Sequence, residues 1–100
     1  MTQYKLHIRR KAQADLQQIV NYIQNIFRNT KAANDFIDAV EQKYSTIIKE
    51  PHLQPNEWVN NRLYYGALVK KYIIAYYIDE TTKTVVVTTI RHTTQKRKYI

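Results

Sequence analysis

The chain contains no cysteine, a single glycine, two prolines and one tryptophan among its 100 residues. The absence of thiols excludes a disulfide framework, a thiolate nucleophile, and zinc or iron–sulfur sites built on cysteine. Acidic residues are scarce as well, eight Asp and Glu against sixteen Lys and Arg, which leaves a formal charge of +8. A field of that sign on a small body favours polyanions or an acidic partner, and it speaks to association rather than to fold. No apolar run approaches the ~18 residues of a membrane-spanning helix, and the opening Met1 to His7 lacks the apolar stretch of a secretory signal. The expectation is a soluble, cytoplasmic protein without a membrane partner. His7, His52 and His92 lie far apart with no helical i, i+4 pairing, so neither a metal nor another cofactor is expected.

What is present suffices for one core: 44% of the residues are apolar, and the length suits a single domain over residues 1–100. Tyr4, Leu6 and Ile8 alternate with Lys5, His7 and Arg9, the period of a strand with one buried face. From about Lys11 the period turns helical. Leu16, Ile19, Val20, Ile23, Ile26 and Phe27 form one side, with Asp15, Gln17, Gln18, Asn21, Gln24 and Asn25 on the other. Arg9, Arg10 and Lys11 put cations where a helix start prefers a capping side chain or an anion. Asn29 is expected to close this helix in the left-handed conformation and Thr30 to cap the next. Ala33, Phe36, Ile37, Val40, Tyr44, Ile47 and Ile48 then repeat at three and four, and Pro51 ends the run.

His52 to Asn61 reads as a loop pinned by Trp58. Beyond it come three β-rich runs, Leu63–Val69, Tyr72–Ile78 and Val85–Ile90, whose short connections force antiparallel pairing. The middle run is apolar on both faces and is expected inside the sheet. The predicted fold class is α+β, in the order β-α-α-β-β-β, with a helix hairpin packed on one face of an antiparallel twisted sheet.

Three segments carry a family likeness. They are Lys11-Ala12-Gln13-Ala14-Asp15-Leu16-Gln17-Gln18-Ile19 with Tyr22-Ile23, then Val69-Lys70-Lys71-Tyr72-Ile73-Ile74-Ala75-Tyr76-Tyr77-Ile78-Asp79-Glu80, and Val85-Val86-Val87-Thr88-Thr89-Ile90-Arg91-His92. In this order, over nearly the whole chain, they resemble the RelE/ParE superfamily of type II toxin–antitoxin toxins. The resemblance implies a toxin held silent by an antitoxin that wraps it. RelE-like members cut messenger RNA, usually at the ribosome, and ParE-like members poison DNA gyrase without cutting anything themselves. The chain departs from the ribonuclease pattern at Ile73, where many carry Arg, and it lacks the Gly-Arg-Arg that often follows the last strand.

Metal-independent RNA cleavage by 2′-OH attack needs a base, an acid for the leaving 5′-oxygen, and cations around the phosphorane. The C-terminal segment holds all three types in His92, in Arg91, Lys96, Arg97 and Lys98, and in Tyr99. A histidine titrates near ~6.5 and can serve either proton role. The candidate catalytic set is His92, Arg91, Tyr99 and Arg62, with Lys96, Arg97 and Lys98 binding RNA. The plainer alternative is a strand-end histidine followed by a solvated basic tail. If Val85 and Val87 face the helices, strict alternation sends Arg91 to the same side and His92 to the other, unless a bulge intervenes. Tyr72, Tyr76, Tyr77, Tyr22 and Tyr44 are expected in the core.

The chain thus reads as a toxin and an endoribonuclease acting on mRNA at the translating ribosome. Its expected partner is an acidic cognate antitoxin, with which it would form a hetero-oligomer. The alternative is a non-enzymatic poison of DNA gyrase, and a third class is a nucleic-acid-binding adaptor without toxicity.

Overall fold

The period-2 and period-3.6 segments become five strands and two helices in a computed structural model that describes residues 3–94. In chain order these are β1 (Lys5–Ile8), α1 (Arg10–Ile26), α2 (Thr30–Lys49), β2 (Asn56–Val59), β3 (Arg62–Val69), β4 (Tyr72–Asp79) and β5 (Thr84–His92). The sheet order is β1-β5-β4-β3-β2, and β4 lies inside it as its two apolar faces demand. β2 to β5 pair antiparallel, whereas β1 runs parallel to β5, so the sheet is mixed. A parallel neighbour needs a long crossover, and the whole of α1 through β4 supplies it.

The segment expected to be a loop holds the extra strand. Asn60 and Asn61 both have positive φ, 52° and 66°, and Val59 pairs with Arg62 across them. Two left-handed residues between paired strands make a turn whose twist matches the sheet, and asparagine tolerates that conformation. Trp58 does not pin this segment, because it is 69% exposed on the edge strand.

At the helix junction the assignments shift by one residue. Arg28, at φ 51°, takes the left-handed position, and Asn29 caps α2 by accepting from Ala32 N at 2.9 Å. Thr30 is already helical. α1 starts without a side-chain cap, as its cationic entry foretold.

One sheet face lies under the helices. Val20, Phe36, Val40, Tyr44 and Ile47 are buried with Tyr65, Ala67, Val69, Ile74, Tyr76, Val85 and Val87, and Leu16, Ile19 and Ile23 pack partly buried against them. Tyr76 hides completely, and its hydroxyl donates to Pro51 O at 2.7 Å, tying the end of α2 to the sheet. Burial pushes the Tyr44 hydroxyl up to about 12. Tyr22, expected inside, is half exposed, and Ile26 and Phe27 at the helix-hairpin tip are mostly exposed. Truncation of Phe36, 2% exposed and edge-on to Tyr72 at 5.2 Å, should cost about 3–5 kcal/mol as buried aromatic deletions do. Denaturant unfolding of Phe36→Ala is the measurement, and a loss below about 1 kcal/mol would mean the buried stripe lies elsewhere.

Candidate functional site

β1 pairs with only the first part of β5, Thr84 to Val87, and the chain then turns into α1 after Arg9 N donates to Val87 O at 3.0 Å. The rest of that β5 edge faces α1. Asp15 occupies it, accepting from Thr89 Oγ1 at 2.6 Å and Ile90 N at 3.1 Å, with Lys11 Nζ at 3.0 Å. Desolvation pushes the Asp15 pKa up, but the bonds from Thr89, Ile90 and Lys11 outweigh it and hold the carboxyl below its ordinary value. Asp15 therefore lies on the inward flank of α1, not on the solvent side expected from the helical pattern. With Ala12 and Ile19 it stands at i, i+3 and i+7 on that flank, a spacing that could have found it.

A β-bulge at the same place decides what β5 presents. Ala75 pairs with Thr89 and Tyr76 with Val87, leaving Thr88 as the extra residue, and Thr88 Oγ1 donates to Ala75 O at 3.2 Å. One added residue inverts the alternation beyond it. Ile90 then faces the helices with Ile74, and His92 with Tyr72, whose ring it meets edge-on at 5.2 Å. Arg91 pairs with Ile73, so its Cβ starts on the outward side of β5, at the strand end from which it still borders the groove. This reverses the strict-alternation expectation for both residues.

His92 stands at one end of a groove of about 1190 Å³ between the helix hairpin and the ends of β4 and β5. Ile19, Ile23, Phe36, Tyr72 and Ile90 make an apolar floor, with Tyr22 and Phe27 edge-to-face at 5.3 Å along one wall. Lys11, Lys70, Lys71 and Arg91 contribute cations to its lining, and Asp15 and Asp35 two carboxylates. Lys70 and Lys71 form the turn between β3 and β4, Lys70 at φ 54°, and Thr93 N donates to Lys71 O at 2.9 Å, fastening the end of β5 to that turn. Thr94 N donates to His92 Nδ1 at 3.2 Å, so the neutral ring carries its proton on Nε2.

Arg62 is elsewhere. It lies on the sheet face away from the helices, its guanidinium carbon 4.0 Å above the Tyr77 ring, and Arg9 Nη2 donates to the Tyr77 hydroxyl at 3.0 Å. The structure thus brings His92 and Arg91 to one end of the groove and leaves Arg62 on the outer face beside an arginine not singled out in the sequence. Lys96, Arg97, Lys98 and Tyr99 lie outside the described residues. Lys11, Lys70, Lys71, Tyr22 and Phe27 also escaped the sequence-based site. The pair Lys70-Lys71 between two strand runs was the available signal. Among the described residues no group of three His, Asp or Glu could hold a metal, and no helix is long and apolar enough to cross a membrane.

The comparisons with known proteins agree with this frame. The family model of the ParE toxin of type II toxin–antitoxin systems, parDE, matches residues 6–97. Among solved structures, the RelBE2 toxin–antitoxin complex of Mycobacterium tuberculosis aligns with a TM-score of 0.66 at 18% identity, over 91% of this chain and 99% of that one. The archaeal RelE–RelB complex of Pyrococcus horikoshii OT3 gives 0.67 at 14% identity, over 94% and 99%. The chromosomal ParDE system of P. aeruginosa gives 0.69 at 16% identity, over 90% and 96%. No curated protein matches the sequence. At such identities the structures speak to the fold.

The Asp15 contacts have a measurable pH signature. A carboxyl whose pKa is depressed in the folded state adds stability above its unfolded value, and that contribution is lost as pH falls through the folded pKa. Asp15→Asn should therefore cost about 1.5–3 kcal/mol at pH 7, the range for hydrogen bonds to a charged group. The gap to wild type should close as the pH drops below the ordinary aspartate range. Urea unfolding of both proteins from pH 7 down to about pH 1.5 checks it, and a gap that stays constant over that range would rule out the carboxylate as the cause.

Proposed function

The chain belongs to the ParE toxin family of type II toxin–antitoxin systems, and from that premise we propose that it arrests growth by binding DNA gyrase and not by cutting messenger RNA. One observation carries this choice. The bulge at Thr88 turns His92 toward the helix-side groove while Arg62 stays on the outer face, so the candidate proton exchanger and this candidate phosphate clamp lie on opposite sides of the sheet. Cleavage in the groove would have to rely on Lys11, Lys70, Lys71 and Arg91 for the phosphate, without the Arg62 contact. Ile73, opposite Arg91, adds an aliphatic side chain where many nucleases of the superfamily carry Arg.

The endoribonuclease reading keeps one specific support. As an imidazolium, His92 would donate Nδ1–H to Thr94 Oγ1, 2.9 Å away, and keep Nε2–H for a leaving oxygen, in a groove bearing Lys70 and Lys71. In that reading His92 exchanges protons, Arg91 with Lys96, Arg97 and Lys98 holds RNA, Arg62 assists, and Tyr99 orients a base. Induced expression of wild type and His92→Ala separates the two. Trapped gyrase–DNA breaks with intact messages, unchanged in His92→Ala, are the expected result. New 5′ ends on messages that fall ~10²–10⁴-fold in His92→Ala would overturn it, that being the usual loss for one acid–base group.

The groove is the proposed seat of the antitoxin. An amphipathic segment can lay its apolar side on Ile19, Ile23, Phe36 and Tyr72 while carboxylates meet Lys11, Lys70 and Lys71. Reversing the last two charges, Lys70→Glu with Lys71→Glu, should weaken antitoxin binding at least about tenfold at low salt, through lost steering and like-charge contact. Calorimetry at two ionic strengths reads the effect, and an affinity unaltered by the reversal would place the antitoxin on another surface.

A further inference from the structure

The outer face of the sheet carries an arrangement that the groove does not need. Tyr77 stands at its centre, since Tyr76 beside it points to the core. Two guanidinium groups converge on this one ring. Arg62, from the start of β3, stacks on its face at 4.0 Å, and Arg9, from the junction of β1 and α1, donates to its hydroxyl at 3.0 Å with its carbon 5.5 Å from the centroid. Tyr64 meets Tyr77 edge-on at 6.0 Å and completes the platform.

The acidic groups of this face do not neutralise the pair. Asp79, two residues on from Tyr77, spends its Oδ1 on Thr81 and Thr82 in the following turn. Glu57 pairs in register with Tyr64 on the edge strand β2. Neither carboxylate lies within 4.0 Å of Arg9 or Arg62, and the ion pairs among the described residues involve Lys11, Lys31, Lys83 and His52. Lys5 and His7 of β1 share this side, in register with Thr84 and Val86. A cationic strip thus crosses from β1 to β3, held by cation–π and hydroxyl contacts that leave most guanidinium N–H groups free to donate.

Two exposed arginines gathered about one ring repel each other, and an anion bound along them relieves that repulsion. A guanidinium fork matches two phosphate oxygens at once, and stacking on tyrosine fixes its plane beforehand. From this geometry we infer that Arg9 and Arg62, mounted on Tyr77, form a binding site for the phosphodiester backbone of a nucleic acid. Resting on the gyrase reading above, the site would take the duplex that gyrase grips, so that the toxin touches DNA as well as protein. The strip gives phosphate contacts without base readout, so binding is indifferent to sequence and strongly dependent on salt.

The test uses the purified toxin and a fluorescein-labelled 20-base-pair duplex, with anisotropy titrations at several salt concentrations. Arg9→Gln and Arg62→Gln should each weaken binding about three- to tenfold near 0.1 M salt and lower the slope of log K against log salt by about 1, the signature of one lost phosphate contact. Lys31→Gln removes the same charge from the exposed side of α2 and serves as the reference for net charge alone. Arginine variants that bind the duplex no worse than Lys31→Gln would overturn the inference. A single-stranded RNA of equal length, bound much more tightly than the duplex and with the same arginine dependence, would overturn the assignment to duplex DNA. Gyrase supercoiling assays on the same proteins separate this inference from the reading beneath it. A wild type that binds the duplex through Arg9 and Arg62 yet leaves gyrase unpoisoned sinks the gyrase reading and keeps the site. A wild type that poisons gyrase, with both arginine variants equal to it in binding and poisoning, does the reverse.

Discussion

The carboxylate of Asp15 does for the far half of β5 what β1 does for its near half. A strand edge presents N–H groups that must find acceptors when buried, and β1 stops at Ile8 while β5 continues to His92. The Ile90 amide and the buried Thr89 hydroxyl are satisfied by one side chain from α1, itself 14% exposed. That contact fixes where α1 crosses the sheet. It thereby sets the width of the groove between the helix hairpin and the last turn of β3–β4. Lys11, one turn earlier, balances the charge, so the carboxylate is accommodated without an unpaired ion in a partly buried place.

The bulge at Thr88 lies against the same contact. A strand that kept strict alternation would put Arg91 under the helices, where Phe36 and Tyr72 leave an apolar floor, and His92 in the outer row. The extra residue exchanges them. His92 can then stack edge-on against Tyr72 and have its Nδ1 bound by Thr94 N, while Arg91 stands in register with Ile73. Bulges re-aim side chains at strand ends in this way, and here the change brings His92 into the groove.

Much of this frame is legible from periodicity. The two helices, the interior position of β4 and the helix-covered face follow from apolar spacing, because burial of a stripe or a face is what gives those elements their stability. β2 was not legible in that way. As an exposed edge strand its Asn56-Glu57-Trp58-Val59 has no buried alternation to display, and the Asn60-Asn61 turn was its only mark. The bulge was equally hidden, since Val85 to Ile90 is buried throughout and an apolar run without alternation carries no register. The site suffered most from that. His92 and Arg62 look like neighbours in composition, but pairing register, not sequence, determines that they stand on opposite faces. Arg9 was read as the polar end of a strand, and only the fold reveals that β1 ends beside Tyr77.

Two cationic surfaces separated by a sheet have a consequence for control. A segment seated in the groove covers Lys11, Lys70 and Lys71 but lies on the other side of β4 from Arg9 and Arg62. Screening limits direct electrostatic influence to about 8 Å at physiological salt, less than the ~10 Å between layers packed on a sheet. An antitoxin confined to the groove would therefore leave the outer strip charged and available. Silencing must then come either from blocking the target protein at the groove or from a longer antitoxin segment that passes over an edge of the sheet to the outer face. The β2 edge offers a route, being four residues long with Trp58 exposed, whereas the opposite edge, the equally short β1, is tied by Tyr4 N to Ile48 O near the end of α2. The short, twisted β2 strand can accept one further strand by main-chain hydrogen bonds, and such a strand would carry its chain from the helix side toward Arg62, the partner of Val59 in the β2–β3 register.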